Sequence, residues 1–103
     1  MNTGSIIKEL RKQAKLSQTN LAKACDITQA YLSQIESNKR EPHISSLKKI
    51  CEVLDIPLPV FFFLTIDEDD VPERKKETFR ILFPSVKAFL VNIFPGHAAK
   101  LDA

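Results

Sequence analysis

This 103-residue chain has little of several things. It holds two glycines, two cysteines, one tyrosine, one methionine and no tryptophan. The glycine shortage excludes phosphate-cradling loops. Cys25 and Cys51 are too few for a disulfide framework, and both lie among apolar residues at helical spacing, as small core side chains do. A zinc site from Cys25, Cys51, His43 and His97 lacks the close ligand pairs that zinc motifs use, so no metal and no cofactor is expected. No run approaches the length of a membrane span; the longest apolar stretch is Val60 to Leu64. The N-terminus lacks the charged-then-apolar pattern of a signal peptide, which points to a cytoplasmic protein. No His or Cys has a plausible catalytic partner, and the acidic run Asp67 to Asp70 reads as a solvated linker. An enzyme is not expected.

Alternation of apolar and polar residues is also absent, and what is present has helical period. Ser5 to Lys15 carries Ile6, Ile7, Leu10 and Ala14 on one stripe. Ser17 suits the N-cap of a second helix with Leu21, Ala22 and Cys25 inward. Thr28 caps a third, QAYLSQIE. A polar loop closed by Pro42 follows. Ser45 or Ser46 then caps a fourth helix with Leu47, Ile50, Cys51 and Leu54 inward, and Pro57 stops it. PLPVFFFL fits one or two helical turns packed on the core. After the acidic segment ending at Pro72, a stripe of Phe79, Leu82, Phe83, Val86, Phe89, Leu90 and Ile93 runs at helical spacing. Pro84 within it must kink that helix or begin another after a turn. Residues 95 to 103 read as a frayed tail.

The third helix has an unusual outer face. At 100° per residue Tyr31, Leu32 and Ile35 share one arc, and Gln29, Ala30, Ser33, Gln34 and Ser37 occupy the other. That outer arc has no charge, whereas a merely solvated face carries Lys and Glu. Charge elsewhere is uneven: residues 8 to 40 hold seven Lys/Arg against three Asp/Glu, while residues 58 to 103 hold six against seven. A basic first half fits contact with nucleic acid.

A joint of about three residues between the second and third helices forces a steep crossing. LSQTNLAKACDITQAYLSQIESNKREP (16 to 42) followed by LKKICEVLDI (47 to 56) resembles the lambda-repressor/Cro-type helix-turn-helix family of DNA-binding transcriptional regulators. The resemblance covers residues 6 to 63. It implies an all-α fold with a five-helix DNA-binding domain over residues 1–65; the charge run and the helical stripe make residues 66–103 an acidic linker and an apolar helical arm. Ala22 must be small where the third helix crosses it. The family's usual glycines are replaced by Asp26 and Asn38, the non-glycine types that best tolerate a left-handed backbone.

The resemblance implies double-stranded DNA as partner, with the third helix in the major groove. Gln29, Ala30, Ser33 and Gln34 then read bases, since amides pair with adenine N6 and N7. Gln18, Thr28, Asn38, Lys39 and Arg40 are expected on phosphates. Arg11 is expected to pair with Glu36 and turn towards a phosphate. Tyr31 either packs in the core or sends its hydroxyl to the DNA backbone. The Phe79-to-Ile93 stripe is expected to dimerise the chain on a palindromic operator, or else to fold back on its own domain. No sensor domain follows, so no small-molecule inducer is expected. A regulator of bacterial or phage origin is the leading reading. The alternative is an antitoxin or protein-interaction module whose arm grips a partner protein, with DNA binding for autoregulation.

Overall fold

In a computed structural model the described residues are 1–94; the expected tail at 95–103 and His97 lie outside them. Six α-helices run in order: α1 Thr3–Gln13, α2 Gln18–Ala24, α3 Gln29–Glu36, α4 Ile44–Val53, α5 Leu58–Leu64 and α6 Lys76–Ile93. Two short 3-10 turns, Glu68–Asp70 and Glu73–Lys75, join α5 to α6. No strand occurs among the described residues. The fold is all-α: a five-helix domain with a helical extension.

The expected caps on α2 and α3 are present. Ser17 Oγ accepts from the Asn20 N–H at 3.0 Å, and Thr28 Oγ1 from the Tyr31 N–H at 3.0 Å. Each satisfies a donor that the first helical turn cannot. Four boundaries differ from expectation. The first helix starts at Thr3 and ends at Gln13, two residues earlier than its apolar stripe suggests. The fourth begins at Ile44 with His43 as N-cap, so Ser45 and Ser46 lie in its first turn. His43 is held extended because its N–H donates to the Tyr31 hydroxyl at 2.9 Å. The helix also stops at Val53, before Pro57, which instead caps α5.

The first four helices share one way of ending. Lys15, Asp26, Asn38 and Asp55 all have φ between 56° and 59°. Each stands two residues past its helix, and the next N–H reaches back inside it: Leu16 to Arg11, Ile27 to Ala22, Lys39 to Gln34, Ile56 to Cys51. This pairing satisfies terminal carbonyls that would otherwise lack a donor. Left-handed backbone was expected at Asp26 and Asn38. Asp55, of the same type as Asp26, adopts it as well, and so does Lys15, whose residue type carries no such signal.

The core draws on all five domain helices. Ile7, Leu10, Leu21, Leu32, Ile35, Ile50, Leu54, Phe61 and Leu64 are the large apolar side chains sealed within it. Ala22 is buried where α3 crosses α2, and Cys25 lies beside it in the core. Four residues, Cys25 to Thr28, make the turn between α2 and α3. Gly4 sets a second close approach. A Cβ there would meet the Ile35 carbonyl oxygen and lie 2.6 Å from Asn38 Oδ1. Only glycine lets α1 lie this near the end of α3.

Pro84 neither ends α6 nor splits it. It is exposed on the helix, and its ring leaves the carbonyl one turn back without the usual donor. The apolar stripe is divided. Leu90, with Val91 and Phe94, packs on the domain core; Phe79 stacks on Phe83 at 4.5 Å, and Phe83 on Phe63 at 5.5 Å. Lys87 adds an ion pair to Glu9 of α1 at 3.3 Å. Leu82, Val86, Phe89 and Ile93 stay exposed. The fold-back thus takes up part of the stripe, and the other part is left exposed.

Candidate nucleic-acid interface

α3 is anchored by Leu32 and Ile35, which pull one face into the core and turn the opposite face out. Gln29, Ala30 and Gln34 are exposed on that outer face, and Ser33 is half-buried beside them. Gln29 is the first residue of α3, just after the cap. The exposed face is neutral from end to end, a donor–acceptor surface rather than a charged one.

A line of hydrogen bonds runs from the core to that face. Arg11 Nε donates to Glu36 Oε2 at 2.8 Å, and Arg11 Nη2 to Glu36 Oε1 at 3.1 Å. The third guanidinium nitrogen, Nη1, donates to the Leu16 carbonyl at 2.8 Å. Glu36 Oε1 also accepts from Gln18 Nε2 at 3.1 Å. Gln18 Oε1 in turn accepts from Gln29 Nε2 at 2.7 Å. So the buried pair expected between Arg11 and Glu36 is present. It also fixes which way the amide of Gln18 points, and Gln18 fixes Gln29.

One consequence departs from expectation. The Arg11 side chain is 11% exposed and all three of its nitrogens are engaged inside the protein. It is turned inward rather than towards a phosphate. A bidentate guanidinium–carboxylate contact is strong and directional, and burial holds it in one geometry.

The second flank is the turn after α3. Asn38 Oδ1 accepts the Gly4 N–H at 3.1 Å, which ties that turn to α1 and leaves the Nδ2 donors unspent on this contact. Lys39 and Arg40 follow and are exposed. The Arg40 guanidinium lies over the Tyr31 ring, 5.0 Å from its centre. That contact restrains a flexible cation by its attraction to the ring face. Tyr31 packs against the core, as one of its two readings held, and its hydroxyl accepts from His43 rather than lying uncommitted. The link from Gln18 to Gln29 and the seat of Arg40 on Tyr31 were missed from sequence. Both join residues in different elements, and no local spacing marks them.

Cys25 and Cys51 are both buried and free. Burial pushes their thiols up to about 11 and about 12. They are packing groups here, with no part in the interface.

Comparison with known proteins agrees with this geometry. Residues 7–61 match the family described as Helix-turn-helix. The ImmF control region 10 kDa protein of Bacillus phage phi105 is 37% identical over 57 residues, 55% of this chain and 63% of that protein. The Immunity repressor protein of the same phage is 36% identical over 56 residues, 54% of this chain and 39% of its own length. The HTH-type transcriptional regulator PuuR of Escherichia coli is 33% identical over 79 residues, 68% of this chain and 43% of its own. The chain spans less than two thirds of the length of each of these curated relatives. A four-residue joint between α2 and α3, a neutral amide-bearing face on α3 and a family match over more than half its residues agree: the chain belongs to the lambda-repressor/Cro-type helix-turn-helix family of DNA-binding transcriptional regulators.

Proposed function

We propose that the protein is a sequence-specific regulator of transcription that binds a palindromic operator as a homodimer, with α3 in the major groove. The observation that carries this reading is the Gln18–Gln29 amide pair. Gln29 Nε2 has two hydrogens and Gln18 takes one. The second N–H and the Oε1 acceptor remain on the outer face, the donor and acceptor that adenine N7 and N6 require. The amide is held in that orientation before DNA arrives, so less freedom is lost on binding.

Gln34, Ala30 and Ser33 complete the reading surface. Ala30 suits a thymine methyl, and the short Ser33 lets the helix sit deep in the groove. Thr28, Gln18, Asn38, Lys39 and Arg40 flank it and fit phosphate contacts that set register rather than sequence. Arg11 acts behind them, as the residue that positions Glu36 and Gln18. Repression fits the name of one phage relative, the Immunity repressor protein, and a bacterial or phage setting fits the sources of the relatives. Among the described residues no helix is long and apolar enough to cross a membrane.

Selection of bound duplexes from a random pool tests the proposal. Two inverted, adenine-bearing half-sites with centres about 34 Å apart are expected. Retention of no duplex at low salt overturns it. The alternative, a module whose arm holds another protein, draws on the exposed side of α6; co-purification of a second polypeptide in fixed proportion would favour it.

A further inference from the structure

The turn after α3 is pinned at both ends. Asn38 Oδ1 accepts the Gly4 N–H at 3.1 Å, and the His43 N–H donates to the Tyr31 hydroxyl at 2.9 Å. Between these ties lie Lys39, Arg40 and Glu41, all exposed. Pro42, just before His43, narrows the backbone further. The two cations of this short span are held differently. Among the described residues Lys39 makes no hydrogen bond, ion pair or ring contact. The Arg40 guanidinium sits over the Tyr31 ring, 5.0 Å from its centre.

The ring is itself fixed. Thr28 Oγ1 caps the Tyr31 backbone N–H at 3.0 Å, the side chain packs against the core, and the hydroxyl takes the His43 N–H. Tyr31 belongs to α3, and Gln34 follows it by three residues on the adjoining strip of helix surface. The cation is therefore carried by the helix that bears the amide face, at the border of that face, and not by the turn alone.

We propose that Tyr31 is a positioning residue for DNA binding: its ring seats Arg40 so that the guanidinium meets a backbone phosphate already ordered. The inference rests on the DNA-binding reading of the previous subsection and deepens it. A long exposed cation loses rotamer freedom when it is fixed on a ligand, and a seat present in the free protein lowers that loss. The attraction of the ring face orders the cation without spending any of its N–H groups. Arg11 shows the opposite arrangement, with all three nitrogens engaged inside the protein. Arg40 makes no hydrogen bond and no ion pair among the described residues, so its whole donor set is left for the two oxygens of a phosphate. Two adjacent cations thus act differently: Lys39 as an untethered charge, Arg40 as a placed one.

Binding of the full chain to a duplex of mixed sequence at low salt tests the proposal, because a phosphate contact acts on any sequence. The original, Tyr31→Leu, Arg40→Ala and the double variant form a cycle. Leucine keeps an apolar side chain against the core, and melting followed by circular dichroism checks the fold. The loss from Arg40→Ala should be about two- to fivefold smaller once the ring is gone, the worth of an exposed cation–ring contact. Lys39→Ala should cost the same with or without the ring. Tyr31→Phe, which keeps the ring and loses the hydroxyl, should preserve the full effect of Arg40→Ala. In the unsubstituted chain, ring current should move the Arg40 side-chain protons upfield in the NMR spectrum, a readout that needs no substitution at Tyr31. Equal losses from Arg40→Ala in both backgrounds overturn the proposal. So does a matching change for Lys39→Ala, which would mark Tyr31 as structural only, and so do Arg40 protons at the shifts of a free arginine. Retention of no duplex by the original overturns this inference and the DNA-binding reading together, whereas a retained duplex without the coupling overturns this inference alone.

Discussion

Gln29 is useful for base recognition because Gln18 holds it, and the two should behave as one unit. Gln29→Ala should relax preference at one base pair and cost about 1–3 kcal/mol on the best operator. Gln18→Ala should loosen the same position, and the double variant should cost clearly less than the sum of the singles. Binding titrations against operators changed one base at a time check this. An equal loss on every sequence from Gln29→Ala would count against base reading. Lys39→Ala should weaken all sequences alike and flatten the dependence of log affinity on log salt by about one unit. Glu36 lies one step deeper. Glu36→Ala strands the Arg11 guanidinium in a site that is 11% exposed, and loss of one member of a buried pair costs about 3–5 kcal/mol. Urea unfolding should show a loss that large, and binding to any DNA should fall with it, since Gln18 loses its support.

The elements owe their lengths to their ends. In a chain with two glycines, four helices stop on non-glycine residues in left-handed backbone. Lysine has no local side-chain compensation for that conformation, whereas Asn and Asp have some. Lys15→Gly should therefore raise stability by about 0.5–1 kcal/mol, read as a higher melting temperature. Asn38→Gly should gain nothing, because it also removes the acceptor of the Gly4 N–H. Asp26 and Asn38 could be recognised in the sequence because residues of their type at a helix end have a reason to be there. Lys15 is a good helix former by type, so the sequence carries α1 past its true end at Gln13. His43 was missed as the cap of α4 for a different reason. Two serines nearby are better capping residues by chemistry, and the Tyr31 hydroxyl that fixes His43 comes from another helix.

For the whole molecule, the small core sets the tolerance. Cys25 and Cys51 are both in it, and burial holds their protons on to about 11 and about 12, against 9.0 for an ordinary thiol. Below pH 9 both folded and unfolded thiols are protonated, and stability is unaffected by them. Above pH 9 the unfolded chain gives up protons that the folded chain keeps, so unfolding is favoured until the folded thiols also titrate. Melting temperature should fall as pH rises from about 9 towards 11–12. Replacing both cysteines with alanine should remove that part of the slope while lowering stability overall. α6 belongs to this scale as well. It closes on the domain through Leu90, Val91 and Phe94 and keeps a second apolar side exposed.

By itself the sequence determined the helical class, the joint between α2 and α3, the caps at Ser17 and Thr28, and the uncharged face of α3. Each is a matter of nearest neighbours: period, capping chemistry and the residue types on one arc. The buried Arg11–Glu36 pair was legible through family resemblance. Only the tertiary structure decided that Arg11 points inward, that Gln18 bridges Glu36 to Gln29, and that the α6 stripe splits into a packed side and an open one. Those outcomes depend on where helices distant in the chain cross, and a helical period says which residues share a face but not what that face meets.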